Sequence, residues 1–377
     1  MTLRITELFV HERDHPLETP FRTALRTVSS VESVYVELRS DAGVRGFGEA
    51  VPTLAITGES RSSIREALSG PLRDAVVGRD GEDIVALSRR LVRAVVANRS
   101  AKAALDMALY DLVARSRGLS LTSSLGSAAR SVRTDVTVGI GTTEAMADTA
   151  RARVAAGFTT LKIKVGGDED TDVARVLAVS AAVGDGAILR LDANQGWTRR
   201  QAVVVLDRLY RAGVALELVE QPVAGEDLAS LAAVSRASPY PILADESVHV
   251  AADVLRIAEL EAADAVNIKL MKCGGVHAAM ELAAVAKAAG LGVFVGGMME
   301  SPLAVLMAAS VAAVVAPDTV HDLDAAWWLS QPWPLICYEP PLLSLSPFPG
   351  VAPDIELAGL CGAAFIPGDD TAPRASD

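Results

Sequence analysis

Alternation of apolar and polar positions divides the chain into two regimes. Up to about Val132 the pattern is mixed. The stretches ITELFVHE (5–12), SVYVELRS (33–40) and GVRGFGEAVP (43–52) predict antiparallel strands with turns. SIREALSGPLRDAVV (63–77) and SAKAALDMALYDLVARS (100–116) carry a helical period instead. From Val132 onward a short apolar run recurs at intervals of roughly 25 to 30 residues, each interval holding a helical stretch such as RRQAVVVLDRLYRAG (199–213). The runs are RTDVTVGI, TTLKIKV, AILRLDAN, LELVEQP, PILADES, AVNIKLM, GVFVGG and TVHDLD. This alternation predicts a (β/α)8-type barrel with an α+β capping domain. The predicted division is a cap over residues 1–131, a barrel over 132–339, and a segment over 340–377 that returns to the cap and ends in a disordered tail, PGDDTAPRASD. A doubly wound open sheet would alternate in the same way. No G-x-G-x-x-G follows a first strand, however, and no P-loop is present, so nucleotide-cradling versions have no support.

Two lysines interrupt one of these apolar runs. In LKIKV (161–165), Lys162 and Lys164 share one face of a strand and Leu161, Ile163 and Val165 the other. If the apolar face packs on helices, both ammonium groups point into the barrel, where they need compensating anions. Taken alone, the stretch equally suits an edge strand with both lysines in water. The anions come from the next three runs, which close on Asp192, Glu220 and Asp245, and the run after those carries Lys269. Single acidic residues at strand ends are commonly helix caps. Three converging carboxylates repel one another, and a hard divalent cation such as Mg2+ relieves that repulsion better than zinc. Burial near such a cation is expected to lower a lysine pKa towards that of a usable base. A lumen salt bridge between lysine and aspartate is the plainer alternative.

Composition narrows the picture further. A net charge of −12, with 50% hydrophobic and 22% charged residues, argues against nucleic acid or an anionic membrane as partner. Cys273, Cys337 and Cys361 make neither a disulfide framework nor a zinc site, and the N-terminus lacks a signal-peptide apolar core, so a cytoplasmic protein is expected. SPLAVLMAASVAAVVAP (301–317) is shorter than the roughly 20 residues of a membrane span and predicts a buried helix.

The series KIKV, LDANQGW, VEQP, ADES and NIKLMKCGG, with GFGEA in the cap, resembles the muconate lactonizing subgroup of the enolase superfamily along nearly the whole chain. The resemblance implies one Mg2+ per subunit on Asp192, Glu220 and Asp245. It also implies Lys164 and Lys269 as acid/base groups on opposite faces of the substrate, with Lys162 assisting electrostatically. Proton exchange next to a carboxylate, giving epimerisation or racemisation, is the activity it implies, with β-elimination open if the substrate carries a leaving group. Asp322 and Asp324 in VHDLDAAWW share a face, suited to a substrate ammonium, although a surface turn or helix cap would explain them too. This Asp-x-Asp is similar to the mark of dipeptide epimerases. PFRTALRTVSSVESVYVEL and VPTLAITGES resemble capping segments of L-Ala-D/L-Glu epimerases, which implies that Arg26 meets the glutamate side chain unless it merely pairs with an acidic neighbour. Thr53 and Met298 are further substrate contacts on the same resemblance. The implied partner is a small dipeptide, on a homo-oligomer. An N-acylamino acid racemase, an o-succinylbenzoate synthase or an amino/imino acid dehydratase would share the lysines and carboxylates, and a non-catalytic barrel module would need neither.

Overall fold

The computed structural model describes residues 3–24, 26–331 and 336–352. Three antiparallel strands open the chain, β1 (Ile5–Arg22), β2 (Thr27–Ser40) and β3 (Arg45–Ala50), side by side in that order. The first hairpin runs well beyond the cleanly alternating stretch: His15 pairs with Val31, Pro16 with Ser30 and, past an irregularity, Phe21 with Val28. Pro16 and Pro20 hide this extension in the sequence, since proline gives up a ladder donor. On an edge strand such as β1 that loss is tolerated.

The predicted helical stretch 63–77 is two helices, Arg61–Ser69 and Pro71–Val76, parted at Gly70-Pro71. The helix Arg99–Ser116 packs on β3, where Gly46 and Gly48 face it: a Cβ on Gly48 would lie 1.9 Å from the Ala104 carbonyl oxygen. Two glycines at i and i+2 therefore let a helix backbone approach a strand directly.

The first predicted barrel run is broken at Asp135 into β4 (Ser131–Thr134) and β5 (Val136–Val138). There follow β6 (Thr160–Lys164), β7 (Ile188–Asp192), β8 (Leu218–Glu220), β9 (Ile242–Ala244), β10 (Ala265–Lys269) and β11 (Gly292–Gly296). Strands β5 to β11 form one sheet in sequence order, every pair parallel. The eighth run is reduced to β12 (Val320–His321), which pairs with β4, while Asp322 bridges Gly296 at the end of β11. The last run thus joins the seventh to the first and closes the ring.

Outward residues of β6 and β7, such as Leu161, Ile163 and Leu191, are fully buried against the surrounding helices. Each contributes roughly 1.5–3 kcal/mol relative to exposure. The helix Pro302–Val315 is buried on almost every side, as its composition predicts, and among the described residues no helix is long and apolar enough to cross a membrane.

After the barrel, β13 (Tyr338–Glu339) and β14 (Leu342–Ser344) add to β4, and Val351 donates its amide to Asp111 Oδ1 at 2.7 Å on the helix Arg99–Ser116. The predicted disordered tail, 367–377, lies outside the described residues. Cys273 and Cys337 are free thiols, and Cys361 also lies outside the described residues.

Candidate active site

Five consecutive parallel strands deliver one charged side chain each to the same end of the barrel. Lys164, Asp192, Glu220 and Lys269 are the last residues of β6, β7, β8 and β10, and Asp245 follows the last residue of β9. Register makes them level, since Lys164 is the Cα partner of Asp192 and Asp192 that of Glu220. In the sheet order β6 and β10 stand four strands apart, which in an eight-membered ring places Lys164 and Lys269 across the lumen from each other. The edge-strand alternative for the two lysines is therefore excluded.

Inside this layer the charges are paired. Lys164 Nζ donates to Asp192 Oδ2 at 2.5 Å, and Lys269 Nζ to Asp245 Oδ2 at 2.8 Å. Lys162, 1% exposed, lies 2.7 Å from Glu220 Oε2, 2.7 Å from Asp322 Oδ2 and 3.1 Å from Asp192 Oδ2. A fourth cation, Lys272, donates to Asp245 Oδ1 at 2.5 Å and also to the Asp245 carbonyl.

The pairing favours the charged forms of Lys162 and Lys269. Burial does work against the Lys162 ammonium, but Asp322, Glu220 and Asp192 outweigh it and hold its pKa well above the ordinary lysine value. Lys269 is likewise raised, burial being outweighed chiefly by Asp245. Asp192 is held down to about 2: burial opposes its charge, and Lys164 and Lys162 more than compensate.

Among the described residues no group of three His, Cys, Asp or Glu side chains is arranged to hold a metal ion. Asp192, Glu220 and Asp245 do converge as predicted, but ammonium groups take their oxygens. The donor set nonetheless fits a hard cation. Glu246, next to Asp245 and 6% exposed, brings a fourth carboxylate. Burial, then the charges of Asp245 and Asp192, push Glu246 up to about 8; burial and Asp192 push Glu220 up to about 7. Four carboxylates crowd this layer, and burial together with their mutual repulsion disfavours charge on two of them. Moreover, Glu246 Oε2 and Asn194 Oδ1 are buried oxygens with no hydrogen-bond partner. Uncompensated oxygen donors are what Mg2+ takes.

Sequence reasoning passed over the residues that hold this layer still. Gln221 sits at φ 33° directly after Glu220, and Asn194 and Gln195 at 42° and 67° after Asp192, conformations non-glycine residues seldom adopt. The Gln221 side chain keeps its loop in place by accepting from the amides of Asp245 (2.8 Å) and Ser247 (3.2 Å) while donating to Val223 O and Ser247 Oγ. All of these lie in quoted motifs. The available signal was polarity in an otherwise apolar strand end, as with Lys272 three residues after Lys269.

Above the charged layer a cleft of about 570 Å3, counted out to open solvent, lies between barrel and cap. Lys164, Lys269, Asp322, Asp324, Met298 and Arg26 all line it, joined by Phe21, Ile56 and Thr137. Thr53 does not. Its side chain is buried, and its carbonyl accepts the amides of Ile56, Thr57 and Gly58, so it holds the turn of the cap loop. Arg26 is disfavoured as a cation by burial and supported by Glu32, which itself lies 3.4 Å from Arg61. Asp322 and Asp324 share the mouth but differ in partners. Asp322 Oδ2 takes the Lys162 ammonium, whereas Asp324 Oδ2 takes neutral donors, the Thr137 amide at 2.7 Å and Trp328 Nε1 at 3.0 Å.

A closed parallel barrel under an antiparallel cap, with lysines opposed across strand-end carboxylates, defines a class of protein. Residues 145–342 match the family model described as Enolase C-terminal domain-like, and residues 5–126 match Mandelate racemase / muconate lactonizing enzyme, N-terminal domain. The chain belongs to this family. It is similar to the L-Ala-D/L-Glu epimerase of Bacillus subtilis, 41% identical over 94% of this chain and 96% of that protein. The solved structure of that enzyme in a substrate-liganded complex superposes with a TM-score of 0.90 over 93% of this chain and 98% of the other, at 41% identity. A dipeptide epimerase structure from Enterococcus faecalis, complexed with Mg and the dipeptide L-Leu-L-Tyr, is 36% identical with a TM-score of 0.87 over 92% and 99% of the two chains. An N-succinyl Arg/Lys racemase structure from Bacillus cereus is more distant in sequence, 29% identical with a TM-score of 0.91 over 96% and 99%.

Proposed function

We propose that this protein is a dipeptide epimerase that inverts the α-carbon of the C-terminal residue of a dipeptide, with L-Ala-D/L-Glu as the substrate pair. In this reading residues 1–131 cap a barrel of residues 132–339, and the chain from 340 onward returns to the cap. The observation that carries it is the opposition of Lys164 and Lys269 across a cleft whose mouth holds Asp322 and Asp324. One lysine takes the α-proton from one face. The carbanion is delocalised into the neighbouring carboxylate as an enediolate, and the opposite lysine returns a proton to the other face, inverting the centre. Asp192, Glu220 and Asp245 would hold Mg2+, which would supply positive charge to stabilise the negative charge that develops on the substrate carboxylate. Lys162, fixed between Asp192, Glu220 and Asp322, adds a second fixed cation. Asp324 receives the N-terminal ammonium and Arg26 the glutamate side chain, with Met298 lining the same cleft.

The similarity to epimerases that act on dipeptides supports this reading over its alternatives. One observation favours a second reading, racemisation of N-acylated amino acids: Lys162 already takes one oxygen of Asp322, leaving less charge for an ammonium. Incubation with L-Ala-L-Glu and Mg2+ in D2O separates the two. The expected result is D-epimer carrying one deuterium at the glutamate α-carbon, halted by EDTA. Full turnover after chelation removes the metal assignment, and turnover of N-acylglutamate in preference to the dipeptide favours the racemase.

A further inference from the structure

An aromatic residue joins the two ends of the cleft. Trp328, 6% exposed, donates Nε1 to Asp324 Oδ2 at 3.0 Å, on the oxygen that also accepts the Thr137 amide. Its ring meets Phe21 edge-on, centroids 5.1 Å apart at 82°, and the Phe21 ring lies 5.8 Å from Lys164 Nζ. These residues belong to a small separate core with Leu17, Val31 and Met299. The same region is stitched to the first hairpin, since Leu17 bridges Leu329 and Ser330 donates to the Pro16 carbonyl through both its amide and its hydroxyl, each at 3.0 Å.

We propose that Trp328 is a positioning residue with two contacts: its N–H aims Asp324 at a free substrate ammonium, and its ring fastens the β1–β2 hairpin, and with it Phe21, over Lys164. The proposal rests on the dipeptide reading of the cleft. A carboxylate turns easily about its last torsion, and two donors on one oxygen pin its plane. Both donors are neutral, so neither brings a cation onto this oxygen, unlike Asp322, whose Oδ2 takes the Lys162 ammonium. Arg153 lies on the indole ring at 5.2 Å and interacts with Asp324 through its charge. Amine recognition and closure over the reacting carbon are thereby one mechanical unit.

Trp328→Phe separates the two contacts, because it keeps a ring for Phe21 and deletes the N–H. With L-Ala-L-Glu its KM rises about tenfold, the loss of one hydrogen bond to a charged group, while kcat stays within about twofold. N-acetyl-L-Ala-L-Glu, which has no ammonium, is unaffected, so the wild-type preference for the free amine collapses. Phe21→Leu does the opposite, lowering kcat for both peptides and leaving the preference intact. Retention of the wild-type preference in Trp328→Phe overturns the proposal, and so does an equal loss on both peptides, which is what a merely structural role produces. If the variant does not fold, the indole N–H resonance of Trp328 in the wild type decides: it moves on binding the free-amine peptide and stays on binding the acetylated one, and no difference overturns the proposal. A wild type with no preference for the free amine is a distinct result, which removes the dipeptide reading and this inference with it.

Discussion

Lys164 and Lys269 are separated by more than a hundred residues and by the whole width of the barrel, yet each touches an aspartate at its own end of the charged layer. If each serves one face, Lys164→Ala and Lys269→Ala both abolish epimerisation, while each variant still exchanges the α-proton of the one epimer that its remaining lysine reaches. Mass spectrometry of both epimers incubated separately in D2O reads this directly, and unchanged epimerisation in either variant shows that the bases are others. A second residue-scale expectation concerns His321, which is fully buried, its Nδ1 accepting the Val295 amide at 3.1 Å and its Nε2 3.0 Å from the Ala316 carbonyl. Burial is the main cause that lowers its pKa to about 4, from 6.5. Below 6.5 the unfolded chain binds a proton that the folded one refuses, so this residue's contribution is complete at pH 7 and is lost as the pH falls towards 4. In urea unfolding, the stability gap between wild type and His321→Asn should therefore narrow by about 3 kcal/mol from pH 7 to pH 4. A gap independent of pH shows that the histidine is not held neutral.

At the scale of elements, two glycines decide how the cap is built. The GFGEA segment turns Gly46 and Gly48 towards the helix Arg99–Ser116, and Glu49 reaches the barrel, accepting from the Ser301 amide at 3.0 Å and the Ala304 amide at 3.2 Å at the start of the helix Pro302–Val315. Alanine has the better intrinsic strand and helix statistics, but its methyl at position 48 has no room. Gly48→Ala is expected to cost about 1–3 kcal/mol in urea unfolding, as other overpacked sites do; an unchanged midpoint means the helix moves away freely. Element boundaries were legible where alternation was clean, as in β6 and β7. They were obscured where proline interrupts the first hairpin and where the eighth run keeps only two paired residues before turning into Asp322. The strained backbone after Asp192 and Glu220 could not be read either, because a positive φ at Asn194, Gln195 and Gln221 depends on loops from neighbouring strands.

On the scale of the molecule, residues far apart in the chain meet in one cleft. Arg26, on the cap, lines the same cleft as Asp322 and Asp324 on the barrel. Losing one partner of a desolvated charge pair costs about 2 to 5 kcal/mol. Arg26→Ala is accordingly expected to lower kcat/KM for Ala-Glu by a large factor and to affect the uncharged dipeptide Ala-Leu much less. General damage to the cap would slow both, so an equal loss on the two peptides counts against Arg26 as the reader of the acidic side chain.

The order of strands, the strand-end positions of Lys164, Asp192, Glu220, Asp245 and Lys269, and the shared face of Lys162 and Lys164 were determined by sequence, because they follow from a period of two within each strand and from parallel strands ending level. The pairing of charges was decided only by tertiary structure. Which carboxylate takes which ammonium, why Lys272 rests on Asp245, and why Phe21 lines the cleft and Thr53 does not depend on distances between segments far apart in the chain. Local periodicity says which way a side chain points. It carries no information about what stands opposite, and in a buried cluster the opposite partner sets both the charge state and the cost of burial.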